Sequence, residues 1–373
     1  MTAPRPRPGL LDIAPYVGGE SKLEGVSRPI KLSSNEGALG PSPKAMAAFQ
    51  AAATRLHRYP DGAATGLRRA LGDLHGIDPA RIVCGAGSDE LIDLLCRAYA
   101  GPGDEVLQTE HGFSIYGICA RAVGATPVMV AETGLTADVD KIVAGVTDRT
   151  KLVFIANPNN PTGTYLPEAE VRRLRAGLPD HVLLVLDAAY AEFVERDDYE
   201  AGAALVEAGD NVVMTRTFSK IYGMGGMRLG WAYGPADVVD VLNRIRLPFN
   251  VNMAAQAAGV AAVGDRAFIA HARAHNSRWL AWTGERLHAL GFHVHPSVGN
   301  FLLVDIRRSA GLGHNARSAE AADAFLRRRG LIVRRVAGYG LPDCLRISIG
   351  TGEEMEALAA AMEAYATTGP DGG

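Results

Sequence analysis

A lysine flanked by groups that bind phosphate stands in the segment 216–229. Lys220 follows the hydroxyls of Thr217 and Ser219, precedes a glycine-rich turn, and lies before Arg228. Its amine can form a Schiff base with a carbonyl once its pKa is lowered, and the hydroxyls and guanidinium can bind a phosphate. This combination suggests pyridoxal phosphate, whose aldehyde needs an amine and whose tail needs a phosphate site. An exposed lysine beside a flexible turn would show the same residues, so the rest of the chain must decide between the two interpretations.

Polar groups also stand where other predicted strands end. Apolar runs such as 151–156 and 182–186 are typical of parallel strands that are buried on both faces. The polar groups at the ends of strands are Ser88 with Asp89, Asn157, Asp187 with Tyr190, and the segment that leads to Lys220. In an open α/β sheet the carboxyl ends of the strands border one crevice. This convergence favours a functional role for the lysine.

The hydrophobic pattern also predicts the elements that position these groups. Helices are predicted at 43–53, 65–75, 168–176, 254–263 and 266–289. Three more are predicted by one end only: one begins at 88, one ends at 123 and one begins at about 353. Strands are predicted at 81–84, 105–108, 126–130, 151–156, 182–186, 212–214 and 229–233, and then at 292–295, 299–304, 330–335 and 344–349.

Alternating strands and helices give way to a mixed pattern after about residue 255. We therefore predict an α/β fold with a large domain, built on a mostly parallel and doubly wound sheet, and a smaller α+β domain. The predicted limits are 1–43 for an N-terminal arm that belongs to the small domain, 44–265 for the large cofactor-binding domain, and 266–373 for the small domain with a bridging helix.

Composition excludes several classes of protein. The chain has 373 residues and a formal net charge of -3, so it has no basic field for nucleic acid. No apolar run approaches the roughly 20 residues of a membrane span, and residues 1–9 lack the apolar segment of a secretory signal. The four cysteines are too scattered for a zinc knuckle or a disulfide framework. We expect a cytoplasmic protein with reduced thiols and no metal.

Around pyridoxal phosphate each of these residues has a chemical role. Asp187 would pair with the pyridine nitrogen, Asn157 and Tyr190 would donate to the ring oxygen O3′, and Phe113 would stack on the ring. The phosphate would be held by the amides of Ser88 and Asp89, the hydroxyls of Thr217 and Ser219, and Arg228. Each residue alone has a structural interpretation: Ser88 as a helix N-cap, Asn157 as a turn former, Asp187 as a cap and Phe113 as core.

The ordered set of motifs resembles fold-type-I aminotransferases over nearly the whole chain. The motifs are Tyr59-Pro-Asp, Gly87-Ser-Asp-Glu90, Asn157-Pro-Asn-Asn-Pro-Thr-Gly163, Asp187-Ala-Ala-Tyr190, Thr217-Phe-Ser-Lys220 and Arg228. Within this family the chain is most similar to histidinol-phosphate aminotransferases, by Ala14-Pro15-Tyr16-Val17, Arg58-Tyr59-Pro60-Asp61, Gly299-Asn300-Phe301 and Leu345-Arg346-Ile347. It departs from the common pattern at Ala188, where an acidic residue is usual, and at Gly18-Gly19, where proline-glycine is frequent.

The resemblance implies further residues and a reaction. Tyr59 would reach the cofactor phosphate of the neighbouring subunit of a homodimer. Arg346 would receive a substrate carboxylate or phosphate, with Arg334 and Tyr16 beside the substrate; Arg335 is an adjacent candidate that the motif does not single out. The expected reaction transfers an amino group between histidinol phosphate and 2-oxoglutarate, giving imidazole-acetol phosphate and glutamate. Lys220 would move the proton.

Other functions fit parts of the pattern. An aromatic amino acid aminotransferase and a threonine-phosphate decarboxylase share the architecture. A pyridoxal-phosphate transcription regulator would need a DNA-binding module, for which the N-terminal arm is too short. A nicotinamide-dependent dehydrogenase would need a strand-GxGxxG-helix unit, which the sequence lacks.

Overall fold

The computed structural model describes residues 4–16, 18–313 and 316–370; Val17 of the arm motif lies outside them. The helices are α1 (Pro43–Ala53), α2 (Thr65–His75), α3 (Ser88–Tyr99), α4 (Ile115–Val123), α5 (Val139–Ala144), α6 (Glu168–Gly177), α7 (Ala203–Ala208), α8 (Ala236–Ile245), α9 (Met253–Val263), α10 (Arg266–Ala289), α11 (Ala319–Arg328) and α12 (Gly352–Thr368). The strands are β1 (Ile30–Lys31), β2 (Ile82–Gly85), β3 (Glu105–Thr109), β4 (Thr126–Val130), β5 (Thr150–Ala156), β6 (Leu183–Asp187), β7 (Val212–Thr217), β8 (Gly230–Tyr233), β9 (His293–His295), β10 (Phe301–Asp305), β11 (Leu331–Ile332), β12 (Arg334–Val336) and β13 (Leu341–Ser348).

A seven-stranded sheet in the order β2-β8-β7-β6-β5-β3-β4 forms the centre of the larger part. Strands β4, β3, β5, β6 and β7 run parallel, and only β8 is antiparallel to its two neighbours. Every residue of β3, β6 and β7 is buried, because helices cover both faces of the sheet. This architecture confirms the predicted α/β fold with a mostly parallel sheet.

Local sequence signals account for several helix ends. The side chain of Ser42 accepts a hydrogen bond from Ala45 N and Pro43 occupies the first turn, so α1 begins where it was predicted. Helix α12 begins with a capping box formed by Thr351 and Glu354. At α3 the N-cap is Gly87 rather than Ser88, which is already helical. Helices α5, α7, α8 and α11 were not predicted; α5 and α7 have only six residues each, too short to show a period.

A second, antiparallel sheet with the order β12-β13-β10-β9 lies in the C-terminal part. Strand β1 of the N-terminal arm pairs in parallel with β11, and Leu32 packs in the core of this part. Helix α10 contacts both residues 191–193 and α12, which agrees with its predicted bridging position. The domain limits themselves stay a prediction. No helix in the described ranges is both long and apolar enough to cross a membrane.

Candidate active site

A cleft forms where the carboxyl ends of β5, β6 and β7 meet the start of α3 and the β13 strand. Its lining residues come from the arm, the large sheet and the C-terminal part of the chain: Tyr16, Gly19, Ser33, Ser34, Asn35, Ser88, Asp89, Phe113, Ala156, Pro158, Asn160, Asp187, Ala189, Tyr190, Thr217, Ser219, Lys220, Arg228, Arg334, Tyr339 and Arg346. The structure thus brings together most of the residues that the sequence singled out.

Lys220 follows β7 and its amine lies inside this cleft. The Nζ atom is 3.5 Å from the carbonyl oxygen of Ser34 and 5.5 Å from the centre of the Tyr190 ring. Burial lowers the pKa of Lys220 to about 8, and the positive charge of Arg346 acts in the same direction. About a tenth of an amine with this pKa is neutral at pH 7, far more than for an ordinary lysine, which suits an amine that must act as nucleophile and base.

Asp187 ends β6, and its carboxylate accepts two side-chain hydrogen bonds. Tyr116 donates its hydroxyl to Oδ2 at 2.7 Å, and Thr215 donates to Oδ1 at 3.2 Å. Burial raises the pKa of Asp187 to about 6, while the hydrogen bond from Tyr116 acts in the opposite direction. The carboxyl group is therefore held ionised at neutral pH in a fixed orientation.

Tyr190 is held by a residue of the N-terminal arm. Asn35 donates its side-chain amide to the Tyr190 hydroxyl at 2.9 Å, and the Asn35 backbone amide donates to Ser348 Oγ at 2.7 Å. Because Asn35 supplies the proton of their shared hydrogen bond, the Tyr190 hydroxyl keeps its own proton for a group in the cleft. Burial raises the pKa of Tyr190 to about 12, so the hydroxyl remains a donor.

The structure assigns Asn157 and Asn160 different positions. Both ends of the Asn157 amide bond to the backbone of Leu166, at 3.0 Å and 2.9 Å, and this side chain is not part of the described cleft lining. Asn160 does line the cleft. The two bonds to Leu166 use one N–H and one oxygen lone pair of Asn157 and fix its amide. A second N–H remains for another acceptor, so the role of Asn157 toward the cofactor stays a prediction.

The groups proposed to bind phosphate meet at one end of the cleft. The hydroxyls of Thr217 and Ser219 lie 3.0 Å apart, and Arg228 Nη1 lies 3.4 Å from Ser219 Oγ. Arg228 Nη2 also lies 2.9 Å from Asp89 Oδ2, in an ion pair whose side chains are both 47% exposed. Such an exposed pair contributes little stability, so it leaves the guanidinium able to bind an anion. The helix α3 begins here, with its first amides free of internal partners.

Two glycines allow this close approach. A Cβ atom on Gly87 would lie 2.5 Å from Arg228 Nη2, and Gly87 has a φ of +85°. A Cβ atom on Gly230 would lie 2.4 Å from the backbone nitrogen of Ser88. A side chain at either position would therefore displace the start of α3 or the arginine.

Arg346 on β13 lines the same cleft as the phosphate-binding groups. Its guanidinium donates to Asn160 Oδ1 at 2.5 Å and to the carbonyl of Ser33 at 2.7 Å, and its side chain lies 5.7 Å from the centre of the Phe301 ring. Its buried Nε has no hydrogen-bond partner within the described part of the chain. Arg346 is thus a fixed, buried cation, as the recognition of an anionic group requires.

The remaining predicted residues lie at the margins. Arg334 donates to the carbonyl of Gly18 at 2.9 Å and lines the cleft with Tyr16, which is 56% exposed. Phe113 also lines it and contacts Tyr116 edge to face, with ring centres 5.8 Å apart. Tyr59 lies outside the cleft of its own chain, is 81% exposed, and stacks on Phe249.

Several site residues were not predicted from the sequence: Asn35, Tyr116, Asn160, Thr215 and Tyr339. Asn160 precedes proline in the same loop as Asn157, so the second Asn-Pro pair was the available signal. Asn35 stands in a run of turn formers, and Tyr116 in an ordinary helix, so neither carries a local signal. Their roles depend on contacts with Tyr190 and Asp187, which are distant along the chain.

The fold and the site together define a lysine-centred enzyme on an open α/β sheet, and comparison with known proteins identifies its family. The family described as aminotransferase class I and II matches residues 27–362, so the chain belongs to that family. This confirms the resemblance found in the sequence motifs.

Particular relatives are closely similar. The histidinol-phosphate aminotransferase of Paramagnetospirillum magneticum is 61% identical over 365 residues, which cover 98% of this chain and 99% of that protein. The protein of the same name from Rhodospirillum rubrum is 61% identical over 362 residues, which cover 97% of each. The crystal structure of histidinol-phosphate aminotransferase from Sinorhizobium meliloti, in complex with pyridoxal-5′-phosphate, superposes with a TM-score of 0.88 at 29% identity and covers 98% of this chain and 99% of that one.

Proposed function

We propose that this chain is a pyridoxal-phosphate-dependent transaminase that transfers an amino group between histidinol phosphate and 2-oxoglutarate, giving imidazole-acetol phosphate and glutamate, in histidine biosynthesis. The observation that carries the proposal is that Lys220 lines one cleft together with the anion-binding groups Ser219 and Arg228 and with the buried guanidinium of Arg346. The relatives with the same activity in their names match over nearly the full chain.

The residues present fit pyridoxal phosphate. One end of the cleft gathers the first amides of α3, two hydroxyls and Arg228, which is a donor set for a phosphate monoester. Asp187, with a carboxylate held by Tyr116, fits the pyridine nitrogen, and Phe113 fits the ring face. When bound, the cofactor would supply an electron sink for the substrate carbon that loses its proton.

The protein groups have separate tasks. Lys220 would hold the cofactor aldehyde and then accept and return the substrate proton at Nζ, since its lowered pKa makes the amine available as a base. Tyr190 would donate its hydroxyl to the ring oxygen, and the second N–H of Asn157 would donate to the same oxygen. Asn160, which lines the cleft, accepts from Arg346. Asp187 would keep the ring nitrogen protonated.

Both substrates carry an anionic group that a guanidinium can bind. The two donating edges of a guanidinium accept a carboxylate or a phosphate with similar geometry. Arg346 would therefore receive the carboxylate of glutamate in one half-reaction and the phosphate of histidinol phosphate in the other. Arg334 and Tyr16, at the mouth of the same cleft, would contact the substrate.

We also propose a homodimer in which Tyr59 reaches the cofactor phosphate of the neighbouring subunit. The support is that Tyr59 lies away from the cleft of its own chain and presents an exposed phenol stacked on Phe249. An aromatic pair exposed in this way is typical of an interaction surface.

A two-stage assay tests the reaction. The cofactor-loaded protein is mixed with glutamate alone, and the absorbance of the bound cofactor is followed; imidazole-acetol phosphate or phenylpyruvate is then added as acceptor. We expect glutamate to change the spectrum and imidazole-acetol phosphate to restore it faster than phenylpyruvate. A spectrum unchanged by glutamate would exclude transamination from this donor, whereas a preference for phenylpyruvate would favour an aromatic amino acid aminotransferase. Lys220→Ala is expected to abolish both stages.

A further inference from the structure

We propose that His295, Asp305 and Cys344 form a binding site for Zn²⁺ on the antiparallel sheet, outside the catalytic cleft. One possible ligand atom from each of these side chains lies within 4.8 Å of the other two. None of the three is among the described residues that line the cleft, so the site goes beyond the proposed transaminase function.

Strand pairing brings the three residues together. Asp305 on the central strand β10 lies directly opposite Cys344 on β13 and directly opposite His293 on β9. His295 stands two residues after His293 and therefore projects from the same face, diagonal to Asp305. The spacing of the four cysteines predicted no metal site. Such spacing cannot reveal this one, because its three residues come from three different strands.

The neighbours of the three residues orient them. Asp305 Oδ1 accepts a hydrogen bond from the backbone amide of Arg308 at 2.9 Å, which fixes the carboxylate and leaves Oδ2 for an ion. The His293 ring packs edge to face on His295, with ring centres 4.8 Å apart. Cys344 is 4% exposed and packs with Leu303 and Val336. A site on paired strands is rigid, and such contacts restrict the ligand side chains.

The donor set selects the ion. A thiolate, an imidazole and a carboxylate are together characteristic ligands of Zn²⁺. A tetrahedral zinc with bonds of about 2.0–2.3 Å holds its ligand atoms roughly 3.3–3.8 Å apart. Rotations of the side chains that move their ligand atoms by about 1 Å would therefore complete the site. The sulfur–zinc bond forms as the Cys344 thiol releases its proton to solvent, and a water molecule fills the fourth position.

His295 lines an open groove together with Asn276, Leu280 and His288, and its side chain is only partly buried. An ion held by the three residues would connect β9, β10 and β13, so binding would stabilise the folded chain. Cys344 stands two residues before Arg346 on the same strand, which places the site close to the substrate side of the cleft without sharing a residue with it.

The test uses the full-length, cofactor-loaded protein after dialysis against a chelator. Zn²⁺ binding is measured by titration calorimetry, and Co²⁺ serves as a probe because its thiolate complexes absorb in the visible range. We expect one ion per chain and a visible Co²⁺ spectrum. Cys344→Ser and His295→Ala are each expected to weaken Zn²⁺ binding by at least about tenfold. Cys119→Ser, which removes another buried free thiol on α4, is the matched control and should bind as the unmodified chain does.

Two results would overturn the proposal: a chain that binds no Zn²⁺ at micromolar concentration, or Zn²⁺ binding that is equally strong in His295→Ala and the unmodified chain. Circular dichroism checks that each variant is folded. If Cys344→Ser does not fold, His295→Ala together with Asp305→Asn decides the question, and loss of the visible Co²⁺ bands in both supports the site.

Discussion

The hydroxyl of Tyr116 donates a hydrogen bond of 2.7 Å to the carboxylate of Asp187, and both side chains are buried. The two residues lie on different elements, α4 and β6. This bond opposes the effect of burial, which raises the pKa of Asp187 to about 6. It therefore helps to keep the carboxylate ionised where it would pair with the cofactor nitrogen.

Removing this hydrogen bond should shift the pH profile. In Tyr116→Phe the pKa of Asp187 is expected to rise further, by about one unit if the lost bond stabilised the charge by about 1.4 kcal/mol. With a higher pKa, Asp187 becomes protonated at a higher pH, so the decline of activity on the acidic side should begin at a higher pH than in the unmodified chain. The measurement is kcat/KM for glutamate between pH 5 and 8. Tyr365→Phe, which removes a buried hydroxyl bonded to Ala316 O, should leave the profile in place; an unshifted profile in Tyr116→Phe would contradict the prediction.

The amine of Lys220 should make the cofactor-free protein less stable than a variant without it. Its folded pKa of about 8 lies below the ordinary 10.5, so the unfolded chain binds the proton more tightly. The cost of the charge is fully present at and below pH 8 and disappears as the pH rises to 10.5. Lys220→Met should therefore raise the free energy of unfolding by roughly 3 kcal/mol at pH 7.5, and by less at pH 10.

Urea unfolding of the two cofactor-free proteins at both pH values measures this difference. The prediction is wrong if the difference in free energy of unfolding between Lys220→Met and the unmodified chain stays constant, or widens, as the pH rises. Lys141→Met provides a control, since this surface lysine bonds to Thr133 and pairs with Asp138, and its removal should not raise the free energy of unfolding at pH 7.5.

Arg346 should control substrate affinity rather than cofactor retention. In Arg346→Ala we expect KM for glutamate to rise by roughly 30- to 150-fold, since a buried charged contact to a ligand is worth about 2–3 kcal/mol, while the bound cofactor keeps its colour. Arg335→Ala is a matched control, because Arg335 is exposed and pairs with Glu320 at 3.2 Å. Equal KM values in the two variants would argue against Arg346 as the anion receptor.

Glu90 should stabilise the turn before α3, which is proposed to bind the cofactor phosphate. Its Oε2 accepts from the Ala86 amide at 2.5 Å and from the Asn250 side chain at 2.8 Å, which fixes the turn before α3. Glu90→Ala is expected to raise the dissociation constant of pyridoxal phosphate about tenfold and to change kcat little at saturating cofactor. Asp93→Ala, on the same helix, serves as control. Unchanged cofactor affinity in Glu90→Ala would show that the turn holds its shape without this carboxylate.

Mixed dimers can test whether Tyr59 acts across subunits. Tyr59→Ala chains alone are expected to bind the cofactor weakly. Lys220→Ala chains alone are expected to be inactive. A mixed dimer would contain one site with Lys220 from the first chain and Tyr59 from the second, so unfolding and refolding the chains together should restore tight cofactor binding in active sites. Cofactor affinity that stays weak in the active sites of the mixture would place Tyr59 in the site of its own chain.

The sequence by itself determined the order of the elements and which residues end the strands. Lys220, Asp187, Tyr190 and Arg228 were found in this way because parallel strands bring their carboxyl ends to one crevice, whatever the details of packing. The family also followed from the sequence, since the motifs occur in a fixed order. Local patterns sufficed for these residues.

Only the tertiary structure decided which side chains complete the site. Asn157 and Asn160 stand in one loop but have different partners. The Asn157 side chain donates to the backbone of Leu166, whereas the Asn160 side chain accepts from Arg346. The contact from Tyr116 to Asp187 spans 71 residues of sequence, and the contact from Asn35 to Tyr190 spans 155. No local period or turn rule encodes such pairs, because packing of separate elements alone creates them.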